Sequence, residues 1–242
     1  MNDEKIAVIV LAAGSSSRMG GIKKEFQKLN TDNSDNENRL TVLGSSVKTF
    51  ASVKSIKIIV IAVQANEEAA ARDALPPELF TDNSHIIILV NGGDTRRASV
   101  YNALRALESL NPRYVLIHDG ARPWISVSLI ENIITAVKKY DAVIPLLPIT
   151  DTPKEITTNS DQGVVFVKRH LKRADVGAAQ TPQAFKFQEI LRAHKKAAEA
   201  DEEFTDDAEI WGKFASKEAG GRVACIPGEK ENRKITFRED LN

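Results

Sequence analysis

Cysteine is nearly absent. Cys225 alone among 242 residues rules out an intramolecular disulfide, which suits a reducing compartment. Cys225 stands in the apolar run 223–226 and is expected to be an inert core residue. Net charge is absent as well: Lys plus Arg and Asp plus Glu both number 33. No overall basic footprint for nucleic acid exists, so basic side chains are expected to act locally. The first apolar stretch is too short to cross a bilayer, and acidic Asp3 and Glu4 precede it where a signal peptide would be basic. A cytoplasmic protein with no nucleic-acid partner and no membrane partner is expected. Internal repeats and a true interdomain linker are also missing. What remains is a chain with 42% hydrophobic residues, enough for a real core, and a length that suits one α/β domain over residues 1–242.

The most informative segment is residues 6–24, IAVIVLAAGSSSRMGGIKK. Its continuous β-branched start reads as a central parallel strand buried on both faces. Ala12, Ala13, Gly14 and three serines then offer backbone N–H groups with little side-chain bulk. A turn of this kind at the carboxyl end of a strand can wrap polyphosphate oxygens, with Arg18 and Lys24 adding charge. It is neither a G-x-G-x-x-G dinucleotide turn nor a Walker loop. Gly14 lacks a properly spaced partner glycine for the first, and Gly14 to Gly20 is one residue too long for the second.

Further buried-strand patterns cover 57–63, 86–91, 114–118 and 142–147, and helical patterns cover 67–75, 97–110 and 127–139. Ser126 is placed to cap the last helix, above an apolar stripe of Leu129, Ile130, Ile133, Ile134 and Val137. This alternation predicts a Rossmann-like, mostly parallel sheet with helices on both faces and ligands beyond the carboxyl ends of the strands. Two segments interrupt it. Residues 30–38, NTDNSDNEN, read as a polar surface insertion. Residues 150–176 hold a projecting β-hairpin, 155–157 with 164–167 across the turn-prone NSDQG. Such an arm cannot bury both faces alone and is expected to pair with a second subunit, giving a homodimer.

Chemistry-bearing residues cluster at strand ends. NGGDTRRASV contributes Gly93, Asp94 and Ser99, the serine positioned to cap the following helix. HDGARP contributes Asp119, suited to a metal–phosphate group, and a structural His118. Thr152 stands at the base of the arm, Arg173 and Thr181 follow it, TDDAE reads as a helix start with Thr205 as cap, and Lys234 enters a presumed short strand at 234–236.

In order along the chain, LAAGSSSRMG, KKEF, GGDTRRASV, HDGARP, DTPK, TPQAF, TDDA and NRKIT resemble the blocks of the 2-C-methyl-D-erythritol 4-phosphate cytidylyltransferase family of the non-mevalonate isoprenoid pathway. The resemblance runs from residue 11 to 236. It implies a nucleotidyltransferase that moves CMP from CTP to 2-C-methyl-D-erythritol 4-phosphate, with Mg²⁺ or another divalent cation. It implies catalytic roles for Arg18, Lys24, Arg173 and Lys234. Cytidine nucleotide contacts fall to Ala12, Ala13, Gly14, Gly93, Asp94 and Ser99. Asp119 matches the acid nearest metal and substrate, and Thr152 matches an arm residue reaching the neighbouring subunit's substrate; Thr181 completes the substrate set. The family's P-K-Q stands here as Lys23, Lys24 and Glu25; the KEF context selects Lys24, so substitution of Lys23 is expected to be mild. Residues 30–38 and Gly177, where an aromatic is common, depart from the pattern, as does a chain stopping at Asn242 without the usual closing helix. A ribitol-5-phosphate cytidylyltransferase and a non-catalytic nucleotide-binding module are the alternatives.

Overall fold

In a computed structural model, residues 5–16, 19–29, 39–81, 84–157, 164–200, 202–215 and 221–241 are described. Strand β1 (Ile6–Leu11) lies in the interior of the sheet. It pairs in parallel with β2 (Ile56–Val63) on one side and β4 (Tyr114–Asp119) on the other. Strand β3 (Ile86–Asn91) extends β2 in parallel. Beyond β4 lies the antiparallel β9 (Gln183–Lys186), then β5 (Ala142–Pro148) and the edge strand β10 (Ala224–Pro227), parallel to β5. Strand β8 (Gly177–Ala179) pairs with β5 off this path.

Side-chain alternation along β1 divides the core into two layers, because successive residues of a strand point to opposite faces. Ile6, Val8 and Val10 pack with α1 (Val42–Ala51) and α4 (Val127–Tyr140), whereas Ala7 and Ile9 pack with α3 (Arg96–Ala106), α5 (Phe187–Glu199) and α6 (Asp207–Phe214). The short α2 (Glu68–Asp73) adds Ala71 to the first layer. Thr41, Thr95 and Ser126 cap α1, α3 and α4 by accepting from the N–H groups of Gly44, Ala98 and Leu129. Leu11 is in register with Ala62 on β2 and Asp119 on β4, which brings the connections after these strands to one edge of the sheet.

The strand and helix patterns are found with bounds shifted by a few residues. Several details differ from expectation. Thr95 rather than Ser99 caps α3. Asp206 rather than Thr205 caps α6, accepting from Glu209 N at 2.9 Å, while Thr205 donates to the Glu209 carboxylate. Cys225 is exposed, because β10 is an edge strand covered incompletely. Residues 234–236 form no strand: Ile235 N–H is bonded to Ala121 O, and its side chain is buried with Leu29 and Val42. The hairpin consists of β6 (Lys154–Ile156) and β7 (Val167–His170), paired antiparallel as a separate two-stranded sheet. Its turn and the insertion 30–38 lie outside the described residues.

Candidate functional site

Five chain segments meet at the carboxyl edge of the sheet and enclose a cavity of about 700 Å³. They are the loop after β1, the turn after β2 (Gln64, Ala65), the loop from Gly92 into α3, the end of β4, and residues 234–236. Two glycines make the convergence sterically possible. A Cβ on Gly120 would lie 2.8 Å from Leu11 O, the atom that accepts the Gly120 N–H, and one on Gly92 would lie 2.4 Å from the Ala13 Cβ.

The loop after β1 presents Ala13, Gly14, Ser15 and Ser16 to the cavity. Ala12 is buried, and its N–H is committed to Ala62 O at 2.7 Å. Ser16 holds the loop's far side, accepting from Lys24 N and donating to Glu25, both at 3.3 Å. Lys24 is 9% exposed, faces the cavity and donates from Nζ to Ile235 O at 3.0 Å. Glu25 also lines the cavity; burial pushes its carboxyl pKa up, against the pull of Lys24 and Lys23. Lys23 does not line the cavity. Its Nζ donates to Gly14 O at 2.9 Å and pairs with Glu67 at 2.7 Å.

Opposite this loop, Asp119 ends β4. One carboxylate oxygen accepts from Lys234 Nζ at 2.8 Å and lies 3.8 Å from Arg122 Nε; the other is 3.5 Å from Arg96 Nε. Burial by itself would raise the Asp119 pKa, yet Lys234 and Arg96 hold it well below the ordinary carboxylate range. Thr181 lies behind the site. Its Oγ1 accepts the Asp119 N–H at 3.0 Å and contacts His118 Nδ1 at 3.1 Å, while His118 Nε2 faces Arg122 O at 3.1 Å. Burial lowers the His118 pKa to about 4, so this histidine is neutral at physiological pH and structural, as its sequence context predicts.

On the third wall, Gly93, Asp94 and Ser99 line the cavity. Ser99 Oγ accepts from Gly93 N at 3.0 Å and donates to Thr95 O, bracing the loop. Arg96 was not singled out from the sequence, where it is one of two adjacent arginines in GGDTRRASV. It lines the cavity and spans from Asp119 to the fully buried Asp207, whose Oδ2 takes its Nη2 at 2.8 Å. His194 Nε2 contacts the other oxygen of Asp207 at 3.1 Å. Asp207 thus pairs with Arg96 from the first turn of α6. The signal available in the sequence was a second acid directly after the Asp206 cap. It falls on the inward face of α6, with Ile210 and Trp211.

Thr152 and Arg173 are exposed and lie apart from the cavity lining; Arg173 donates to Thr150 O at 2.8 Å. Arg18 lies outside the described residues. Taken together, Lys24, Arg96 and Lys234 share the lining of a partly open space with Glu25, Asp94 and Asp119, among small residues and backbone. The three cations give phosphate oxygens places to bind. Among the described residues, no group of three or more His, Cys, Asp or Glu side chains gathers to hold a metal by itself.

Comparisons with known proteins agree with this geometry. A model of the 2-C-methyl-D-erythritol 4-phosphate cytidylyltransferase family matches residues 6–242. A bifunctional enzyme IspD/IspF from Bartonella henselae is 35% identical over 238 residues, which cover 98% of this chain and 55% of that protein. A protein of the same name from Wolbachia pipientis wMel is 34% identical over 241 residues, covering 98% and 54%. The chain therefore spans about half the length of the curated relatives it matches. Among solved structures, 4-diphosphocytidyl-2C-methyl-D-erythritol synthase from Anaerococcus prevotii superposes with a TM-score of 0.79 at 28% identity, covering 99% of this chain and 94% of that one. The 2-C-methyl-D-erythritol 4-phosphate cytidylyltransferase from Thermus thermophilus gives 0.70 at 26% identity, covering 98% and 95%.

Proposed function

The chain belongs to the 2-C-methyl-D-erythritol 4-phosphate cytidylyltransferase family, and from that premise we propose that it transfers CMP from CTP to 2-C-methyl-D-erythritol 4-phosphate and releases pyrophosphate. The observation that carries this reading is the cavity at the sheet's carboxyl edge, with Lys24 on one wall and the Asp119–Lys234 pair on the other. Two anions have to meet there. An oxygen of the acceptor phosphate forms a bond to the α-phosphorus of CTP as the bond to pyrophosphate breaks on the opposite side. The protein's task is positioning and charge neutralisation, with no protein nucleophile.

Small residues and backbone at Ala13, Gly14, Gly93, Asp94 and Ser99 hold the cytidine nucleotide, and buried Ala12 supports the loop from beneath through its bond to Ala62 O. Arg18 and Lys24 neutralise charge on the leaving pyrophosphate. Lys234 meets the acceptor phosphate, helped by Arg173 and Thr152 of a partner subunit's arm, with Thr181 fixing the backbone of Asp119. A magnesium ion is compatible with these residues. Asp119 supplies one ionised carboxylate, and Mg²⁺ is commonly held by one or two carboxylates plus substrate phosphates and water. Such an ion would supply charge neutralisation on the phosphate oxygens.

Pyrophosphate release from CTP, ATP and GTP, each with 2-C-methyl-D-erythritol 4-phosphate or ribitol 5-phosphate, tests the reading. CTP with the methylerythritol phosphate is expected to be fastest. A buried donor or acceptor left unpaired by a wrong base costs about 1–3 kcal/mol, or about one to two decades in selectivity. Comparable turnover with ATP or GTP rejects the cytidylyl assignment. Faster release with ribitol 5-phosphate moves the protein to that acceptor, and no release with either acceptor leaves a nucleotide-binding module.

A further inference from the structure

Lys23 and Lys24 are neighbours with opposite orientations. Lys24 reaches the cavity, whereas Lys23 turns to the outside of the same loop and bridges two separate connections. Its Nζ lies 2.9 Å from Gly14 O, in the loop after β1, and 2.7 Å from Glu67, in the turn after β2. Both connections contribute cavity wall: Gly14 and Ser15 from the first, Gln64 and Ala65 from the second. Phe26 adds a cation–π contact 5.8 Å from the Lys23 nitrogen. The Glu67 oxygen in the pair is inaccessible to solvent, so loss of Lys23 would strand a buried carboxylate oxygen.

We propose that Lys23 and Glu67 form a clasp that presets the loop after β1 for the nucleotide triphosphate, making them positioning residues for CTP. The clasp acts through peptide geometry. A trans peptide is planar, and its C=O and N–H point in opposite directions. Holding Gly14 O towards Lys23 therefore directs the Ser15 N–H away from Lys23. Ser15 lines the cavity and Lys23 does not. Outside its chain neighbours, Gly14 has no atom within 4 Å of where a Cβ would stand, so that side of the residue is open, and the cation at its carbonyl supplies a hold. The charge of Lys23 is used by Glu67 and Gly14 and is not offered to substrate. Its loss is expected to change how often the loop is in its binding shape, and to leave the charge that Lys24 supplies to the leaving group intact.

This inference rests on the CTP reading above, and the experiment separates the two. Lys23→Met, Glu67→Gln, the double variant and Lys23→Arg are compared with the wild-type chain. The readouts are steady-state kinetics, amide hydrogen exchange of residues 12–16, and thermal melting. If release of the clasp cuts the competent loop population to about a tenth, apparent CTP affinity falls about tenfold. Lys23→Met is expected to raise the KM for CTP by that order, with kcat within about twofold and faster exchange at 12–16. Glu67→Gln should have a smaller effect in the same direction, because Lys23 keeps Gly14 O, and should add nothing on top of Lys23→Met. Lys23→Arg should retain most of the affinity. Three results each overturn the clasp: unchanged CTP KM and loop exchange in folded variants; a kcat loss at constant KM; or additive effects of the two single substitutions. A wild-type chain that releases no pyrophosphate from CTP refutes the functional reading instead. The clasp is then judged by the exchange of 12–16 alone, with unchanged exchange in Lys23→Met rejecting it.

Discussion

Lys24, Asp119 and His118 show how burial assigns different work to residues that look alike as letters. Lys24→Ala is expected to lower kcat far more than it raises the KM for CTP, because the charge it meets grows in the transition state. Steady-state kinetics with varied CTP check this, and the reverse pattern would assign Lys24 to ground-state binding. His118 gives a stability signature. Its pKa falls from 6.5 to about 4 on folding through burial, so between those values the unfolded chain binds the extra proton. Stability from this group is complete above pH 6.5 and declines as pH falls through about 4, by about 3 kcal/mol in all. Urea midpoints from pH 7 to 4 should show that decline, and His118→Gln should flatten it. At this scale the sequence was readable where chemistry follows from position on a strand: the end of β4 had to present Asp119 to whatever lies beyond the sheet. It was unreadable where the partner is remote, as with Arg96, whose two acids come from β4 and α6. The Lys23–Glu67 pair was unreadable for the same reason, because Glu67 lies on another connection.

At the level of elements, period and caps revealed β1, β3 and α4 nearly to their ends. Helix α5 was legible in principle, since Phe187, Ile190, Ala193, His194 and Ala197 form an inward stripe at helical spacing. The antiparallel β9 was not. Four residues, Gln183–Lys186, carry too little pattern, and their place between β4 and β5 is decided by pairing across the fold. Helix α6 is anchored to the site through Asp207, which is fully buried against Arg96 and His194. Burial would raise its pKa, and Arg96 above all keeps it lowered. Asp207→Ala is expected to destabilise the chain by about 3–5 kcal/mol, as for a broken buried ion pair. Chemical denaturation measures the loss. A change below about 1 kcal/mol would mean that Arg96 re-pairs fully with Asp119.

For the whole molecule, the arm is the feature that a single chain leaves incomplete. Val164, Val165, Phe166 and Val167 are exposed along it, Phe166 at 63%, and Ile156 faces solvent from the paired strand. A contiguous apolar strip of this sort marks an interaction surface, and a reciprocal dimer is one arrangement that would cover it on both subunits at once. If Arg173 serves the partner's site, Lys24→Ala and Arg173→Ala homodimers should each be nearly inactive. Subunit exchange between them should restore roughly a quarter of wild-type sites, because half the dimers are hybrids with one intact site. No recovery, with hybrids verified by native mass spectrometry, would assign Arg173 to its own chain. A mostly parallel sheet with helices on both faces could be anticipated from alternation; the closing of the cavity could not, because one wall is made by residues 234–236. Lys24 meets Ile235 O across 211 positions, and Lys234 meets Asp119 across 115. That wall has a consequence for a chain still on the ribosome. The core layer over Ala7 and Ile9 needs α5 and α6, and the pocket wall needs residues 234–236, so a growing chain can complete its core only after α6 and its pocket only after Thr236.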